Sequence, residues 1–212
     1  MPIRLVVFDL DGTLTTHNSS WWRLHEVFGT HEEGQKYYDR YFAGEINYQQ
    51  WADLDAGLWK GKPLSEVERI ADETRLVLGA RETIQELKRN YIDVAILSGG
   101  IDLLADRIAK RLAIDYVMVN KIQHENGTLT GEVEVIVGWG GKAEEIKQVF
   151  NDFNVAPEET AFVGDGRNDI SAFSVVGLSI AFNPEHEEVS KAADVVVPGN
   201  DLRAILKHIL GN

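Results

Sequence analysis

The chain of 212 residues contains no cysteine. That absence excludes disulfides, thiolate nucleophiles and cysteine-ligated zinc. Positive charge is scarce: 21 Lys and Arg stand against 34 Asp and Glu, a net charge of −13. Such a surface repels a phosphodiester backbone, and no run of lysines or arginines makes a local exception, so no nucleic-acid partner is expected. No apolar stretch approaches the roughly 18 residues of a membrane span, so no membrane association is expected either. Met1-Pro2-Ile3-Arg4 leads into a short apolar run that ends in acid, which is not a secretory-signal pattern. The expected location is cytoplasmic, and the sequons at Asn18 and Asn126 are read as incidental. Internal repeats and low-complexity tracts are lacking. His17, His25, His31, His124, His186 and His208 share no ligand spacing and are expected at the surface.

What is present is an ordinary globular composition, 44% hydrophobic and 26% charged, able to bury a core. Short apolar runs recur at Ile3–Leu10, Asp93–Leu97, Tyr116–Val119, Thr160–Val163, Leu178–Phe182 and Asp194–Val197. Most end in Gly, Asp or Ser. Between them, 84–88, 103–112, 143–153 and 202–210 carry apolar positions at helical spacing. Buried strands alternating with helices predict an α/β fold, a Rossmann-like doubly wound parallel sheet covered on both faces. Two segments break the alternation. Residues 15–79 contain no buried strand run; they are helical in pattern and rich in aromatics, and predict a small helical unit inserted after the first strand. Residues 121–137 carry an Asn126-Gly127 turn between alternating stretches, a hairpin signal. The predicted division is a core of 1–14 and 80–212 with an insert of 15–79.

In an open parallel sheet, ligands bind beyond the carboxyl ends of the strands. Asp9 and Asp11, then Ser98, Gly99 and Gly100, then Asp165 and Asp169 should converge there, with Lys142 at a helix start. Individually each has a plain reading: turn pairs at Asp11-Gly12 and Asp165-Gly166, a turn serine, a solvated lysine, a capping aspartate. Together they are more specific. Asp9 and Asp11 share one side of an extended chain, and carboxylates held that close need a cation between them or a retained proton. With Asp165 they offer three hard oxygen donors, suited to Mg²⁺ and, through it, to a phosphate ligand. Lys142, Ser98 and the Gly99-Gly100 amides would hold phosphate oxygens. A P-loop is excluded, because Ile136 and Ala143 in the segment around "GWGGKA" stand where that pattern needs Gly and Ser or Thr.

Four signatures in order, "DLDGT" (9–13), "LSGG" (97–100), Lys142 and "GDGRND" (164–169), resemble the haloacid dehalogenase superfamily of phosphotransferases. Within it, the chain is most similar to the phosphoserine phosphatases, through the forms of these motifs, the hairpin "NGTLTGEV" and the closing "DLRAILKHI". The resemblance implies a catalytic core with a helical cap that sets substrate specificity. It implies Asp9 as nucleophile forming an aspartyl-phosphate, and Asp11 as general acid and then base. It implies Mg²⁺ held by Asp9, the Asp11 main-chain carbonyl and Asp165, with Asp169 in support. Ser98, Gly99 and Lys142 would cradle the phosphoryl group, with Gly100 beside them and Asn168 near the site. The implied partner is a small phosphate ester, and the implied assembly a monomer or homodimer.

The cap departs from the phosphoserine pattern. The resemblance places a glutamate nine residues after the nucleophile, where this chain has Asn18, and a carboxylate-binding arginine where it has Asp55. The reading is therefore a Mg²⁺-dependent phosphomonoesterase whose ester is phosphoserine or a non-amino-acid phosphate. A phosphotransferase or mutase using the same nucleophile, and an idle fold used for binding, are the alternatives. Trp21 and Trp22 are read as cap core.

Overall fold

The structure, a computed structural model, describes residues 1–211. The chain opens with strand β1 (Leu5–Phe8), all four residues buried. Helices α1 (Ser20–Phe28), α2 (His31–Phe42), α3 (Tyr48–Leu58) and α4 (Leu64–Glu73) follow before any second strand. Then come α5 (Ala80–Arg89), β2 (Asp93–Ile101), α6 (Asp102–Leu112), β3 (Tyr116–Glu125), β4 (Thr128–Glu134) and α7 (Lys142–Phe153). The remainder is β5 (Thr160–Gly164), α8 (Ile170–Phe173), β6 (Leu178–Phe182), α9 (Glu187–Ala192), β7 (Val195–Val197) and α10 (Leu206–Leu210).

The 7-stranded sheet has the order β4-β3-β2-β1-β5-β6-β7. Its neighbours are parallel except the β3–β4 hairpin. The chain first builds outward from β1 through β2 to β4, then returns to the other side of β1 with β5. The strand order therefore reverses at β1 and β5, and this is where a crevice opens beyond the strand ends.

Period-two alternation in β1 feeds two cores. Val6 and Phe8 pack with Ile84 and Leu87 of α5 and Ile108 of α6 on one face. Leu5 and Val7 pack with Ile146 and Val149 of α7 on the other. The apolar positions of α5, Ala80, Thr83, Ile84 and Leu87, are its buried ones, the i, i+3, i+4, i+7 stripe of a surface helix. A third cluster joins Leu24, Trp59, Val67 and Ile70 of the inserted segment to Ile101, Ile122 and Leu129 of the sheet edge and Leu104 of α6. The insert is thus anchored by a shared apolar core. Among the described residues, no helix is long and apolar enough to cross a membrane.

The α/β architecture, the helical character of 15–79 and the hairpin agree with the sequence reading. Four details differ. The run at 93–97 continues as strand through Ser98-Gly99-Gly100 to Ile101, with a register shift against β3 in place of a simple turn. The segment 202–210 divides into a 3₁₀ turn (Leu202–Ile205) and α10. The last strand starts at Val195, one residue later than its apolar run. His25 is not at the surface: it is 2% exposed, its ring packed against the backbone of Gly34, where a Cβ would clash.

Ile84, fully buried under the sheet, is remote from the strand ends. Ile84→Ala should cost about 2–5 kcal/mol, the transfer term plus a cavity term, seen as a lower urea midpoint at unchanged slope.

Candidate active site

β1 carries Asp9 to the crevice, where its amide is bonded to Val163 of β5 at 2.9 Å. The chain then turns through Gly12, whose φ of +81° is open to glycine at little cost. The Asp165 carboxylate lies directly against Gly12, so that a Cβ there would overlap it. Thr13 Oγ1 donates to Asp165 Oδ1 at 2.5 Å. Where β5 ends, Asp169 folds back over Gly164, and its Oδ2 accepts from the Asp165 and Gly166 amides at 3.1 and 2.9 Å. Lys142, the first residue of α7, is fully buried. Its Nζ lies 2.7 Å from Asp9 Oδ1 and 2.5 Å from Asp169 Oδ1.

The electrostatics follow from crowding. Desolvation, with the charges of Asp9 and Asp169, pushes the Asp165 carboxyl up to about 8. Desolvation and the Asp9 charge push Asp169 up to about 6, against the pull of Lys142 and the amide bonds. Burial drives the Lys142 ammonium down, but Asp169 and Asp9 together raise it more, and it stays charged. Asp11 is pushed up to about 6, chiefly by desolvation; the Ser20 amide, donating to its Oδ2 at 2.7 Å, opposes this. A carboxyl poised there can serve as acid and as base near neutrality.

Carboxylate oxygens of Asp9, Asp165 and Asp169 lie within 4.8 Å of one another. Three carboxylates against one ammonium leave net negative charge in a half-closed site, and the raised Asp165 carboxyl expresses that excess. The donors are all hard oxygens, with no imidazole or thiolate among them. The site therefore fits a hard divalent cation. The Asp11 carboxylate stands outside this triad.

Ser98 is buried at the end of β2, and its Oγ accepts from the Gly100 amide at 3.1 Å. Asp9, Asp11, Ser98, Gly99, Gly100, Asp165 and Asn168 border one cavity of about 260 Å³. Lys142 lies beneath its floor. The predicted residues are thus brought together. The expectation for Trp21 and Trp22 needs correction in part: both wall the cavity, as Trp51 does, while Trp21 also packs on the core cluster around Trp59. Asn18, Trp21, Trp22 and His25 face it from α1 and its entry, and Tyr48, Trp51, Ala52 and Asp55 from α3. Both sets have i, i+3, i+4, i+7 spacing, the signal that could have revealed them.

Sequence reasoning also missed Asn120. It is fully buried and makes four bonds: to the carbonyls of Gly99 (2.9 Å) and Val137 (3.1 Å), and from the amides of Ile136 (2.7 Å) and Val137 (2.8 Å). It ties the Gly99 strand end to the loop that delivers Lys142. Trp21 Nε1 donates to the same Gly99 carbonyl at 2.9 Å.

Residues 3–177 match the family described as haloacid dehalogenase-like hydrolase. The phosphoserine phosphatase of Methanocaldococcus jannaschii is 34% identical over 207 residues, 97% of each chain. That of Wolinella succinogenes is 32% identical over 98% of this chain and 100% of its own. A solved phospho-aspartyl intermediate analogue of a phosphoserine phosphatase superposes with a TM-score of 0.85, at 34% identity over 99% of this chain and 100% of that one. A substrate-bound phosphoserine phosphatase complex gives the same TM-score of 0.85 at 33% identity over 99% of each.

Asn120→Ala should leave buried amides and carbonyls unpaired, at about 1–3 kcal/mol for each group that finds no water, read as a lowered Tm. A pH effect follows from the raised carboxyls of the metal-free protein. A carboxyl with a higher pKa folded than unfolded binds more protons in the folded state, so stability falls as pH rises from about 4 towards the Asp165 value of about 8. With a chelator present, Tm should fall between about pH 5 and pH 8, and added Mg²⁺ should raise it more at the higher pH. Equal Mg²⁺ shifts at both would contradict this account.

Proposed function

The chain belongs to the haloacid dehalogenase-like hydrolase family, and on that premise we propose a Mg²⁺-dependent phosphomonoesterase that works through an aspartyl-phosphate on a small phosphorylated metabolite. The observation that carries the reading is the buried Lys142 bridging Asp9 and Asp169 under the cavity, with Asp11 two residues beyond Asp9. The phospho-aspartyl form of a related enzyme supports the same intermediate.

Lys142 holds one oxygen of Asp9 and so orients that carboxylate, whose other oxygen attacks phosphorus. The bond from phosphorus to the leaving oxygen breaks as the Asp9 oxygen–phosphorus bond forms. Asp11, carrying a proton, gives it to the departing alkoxide. The same carboxylate then takes a proton from water, whose oxygen attacks phosphorus and releases Asp9 and inorganic phosphate. Ser98 and the Gly99 and Gly100 amides orient the phosphoryl oxygens, with Asn168 across the cavity. Mg²⁺, held by Asp9, Asp165 and Asp169 with the Asp11 carbonyl, would neutralise phosphoryl charge when bound. Residues 1–14 and 80–212 form the catalytic core in this reading, and 15–79 the cap that excludes water and meets the leaving group. The names of the relatives make phosphoserine one candidate ester.

The test is phosphate release from para-nitrophenyl phosphate with Mg²⁺. Asp9→Asn should lower the rate at least about 10⁴-fold, and Asp11→Asn about 10²–10⁴-fold. An Asp9→Asn variant as active as wild type would refute the mechanism.

A further inference from the structure

Beyond its reacting end, the cavity runs into a wall that is both aromatic and acidic. Trp22, Tyr38, Trp51 and Tyr48 form a continuous arc, with ring centroids 6.2, 5.7 and 5.7 Å apart in that order. Asp55 lines the same space; it is 3% exposed, and its Oδ1 has no hydrogen-bond partner. The nearest groups are His25, with Nε2 3.3 Å from Oδ1, and the Trp51 indole; desolvation pushes the Asp55 carboxyl up, and these two contacts pull against it. The opposite nitrogen of His25 is 2.9 Å from Thr30 Oγ1, which accepts from Trp59 Nε1 at 3.2 Å.

A buried carboxylate with so little compensation is costly on its own. The cavity provides no permanent cation for it: among the described residues, Arg167 is the sole Lys or Arg on the lining, and it is exposed and ion-paired with Glu188, the other basic groups there being the imidazoles of His25 and His186. The ring faces carry negative potential, and the remaining charges are Asp9, Asp11, Asp165 and Glu185. A carboxylate on the ligand would be repelled by Asp55 and by the rings. A neutral hydroxyl would satisfy Asp55 and gain nothing from the arc. An ammonium gains from both. Position adds a length requirement. Tyr48 Oη stands 3.7 Å from where a Gly99 Cβ would be, and the Asp55 backbone is seven residues beyond the Tyr48 backbone in α3, a rise of about 10 Å at 1.5 Å per residue.

We propose that the substrate is the phosphate monoester of a cationic amino alcohol, with an amine several bonds from the ester, held by Asp55 and the aromatic arc, and no carboxylate. This rests on the phosphomonoesterase reading and names its substrate class. The experiment compares kcat/KM, with Mg²⁺, for 6-aminohexyl phosphate, its amine-free counterpart hexyl phosphate, and phosphoserine, with para-nitrophenyl phosphate as control. 6-Aminohexyl phosphate should exceed each of the other two alkyl esters by at least about tenfold. In Asp55→Asn its advantage over hexyl phosphate should shrink to about threefold or less. Because the first comparison uses wild type alone, it stands even if the variant does not fold. Cleavage of the control with a smaller margin, or with phosphoserine preferred, overturns the amino-alcohol assignment and leaves the phosphatase reading intact. No cleavage of any ester, the control included, overturns both.

Discussion

The site depends on one buried ammonium. Lys142 has no exposed surface, and its charge is balanced by Asp9 from β1 and Asp169 from the turn after β5. A helix N-terminus is an unfavourable place for a cation, and α7 carries Glu144 and Glu145 in the same first turn. Two carboxylates within hydrogen-bond distance outweigh that penalty. These partners are 133 and 27 residues away in the chain, so the triad exists only when β1, β5 and α7 are in register. The crowding that results raises the Asp165 and Asp169 carboxyls and makes the pocket receptive to a divalent cation. Removing either partner of such a pair leaves an uncompensated buried charge, which is why the parts stand or fall together.

The helical insert both walls the cavity and touches the residues at its floor. Its first helix meets the core at two hydrogen bonds, Ser20 amide to Asp11 and Trp21 indole to the Gly99 carbonyl. The Ser20 bond lowers the Asp11 carboxyl and the desolvation of the site raises it; desolvation prevails. The residue proposed as acid and base is therefore tuned by a contact with the cap. The cluster around Trp59 fixes α1 and α4 on the edge formed by β2, β3 and β4. That contact is apolar and extensive enough to make the insert part of the sheet's packing.

The core was legible because its signals are local and redundant. The runs of β1, β2 and β5 each lead into residues of the proposed site, and parallel topology forces those ends to one side. Asp9, Ser98, Lys142, Asp165 and Asp169 needed no knowledge of packing to be grouped. Asn120 could not be read this way. It is a lone amide inside a strand run, and its value lies in four backbone groups from two segments far away in sequence. The continuation of β2 through Ser98-Gly99-Gly100 was hidden for a similar reason: glycines read as a turn, while pairing with β3 resumes at Ile101.

The cavity wall was misread at Trp21 and Trp22 because its periodicity is shared with a buried core. Tyr48, Trp51, Ala52 and Asp55 fall on one stripe of α3, as Trp21, Trp22 and His25 do on α1, and such stripes ordinarily pack against protein. Period tells which side of a helix is turned inward, not whether protein or a cavity awaits it. The discriminating residue is the acid. A buried stripe that ends in Asp55, with only a loosely placed His25 and an indole to meet it, lacks the partners that a core carboxylate requires. An aromatic stripe carrying an acid so sparsely met, beside a cavity, is therefore better read as the wall of a binding site than as a core.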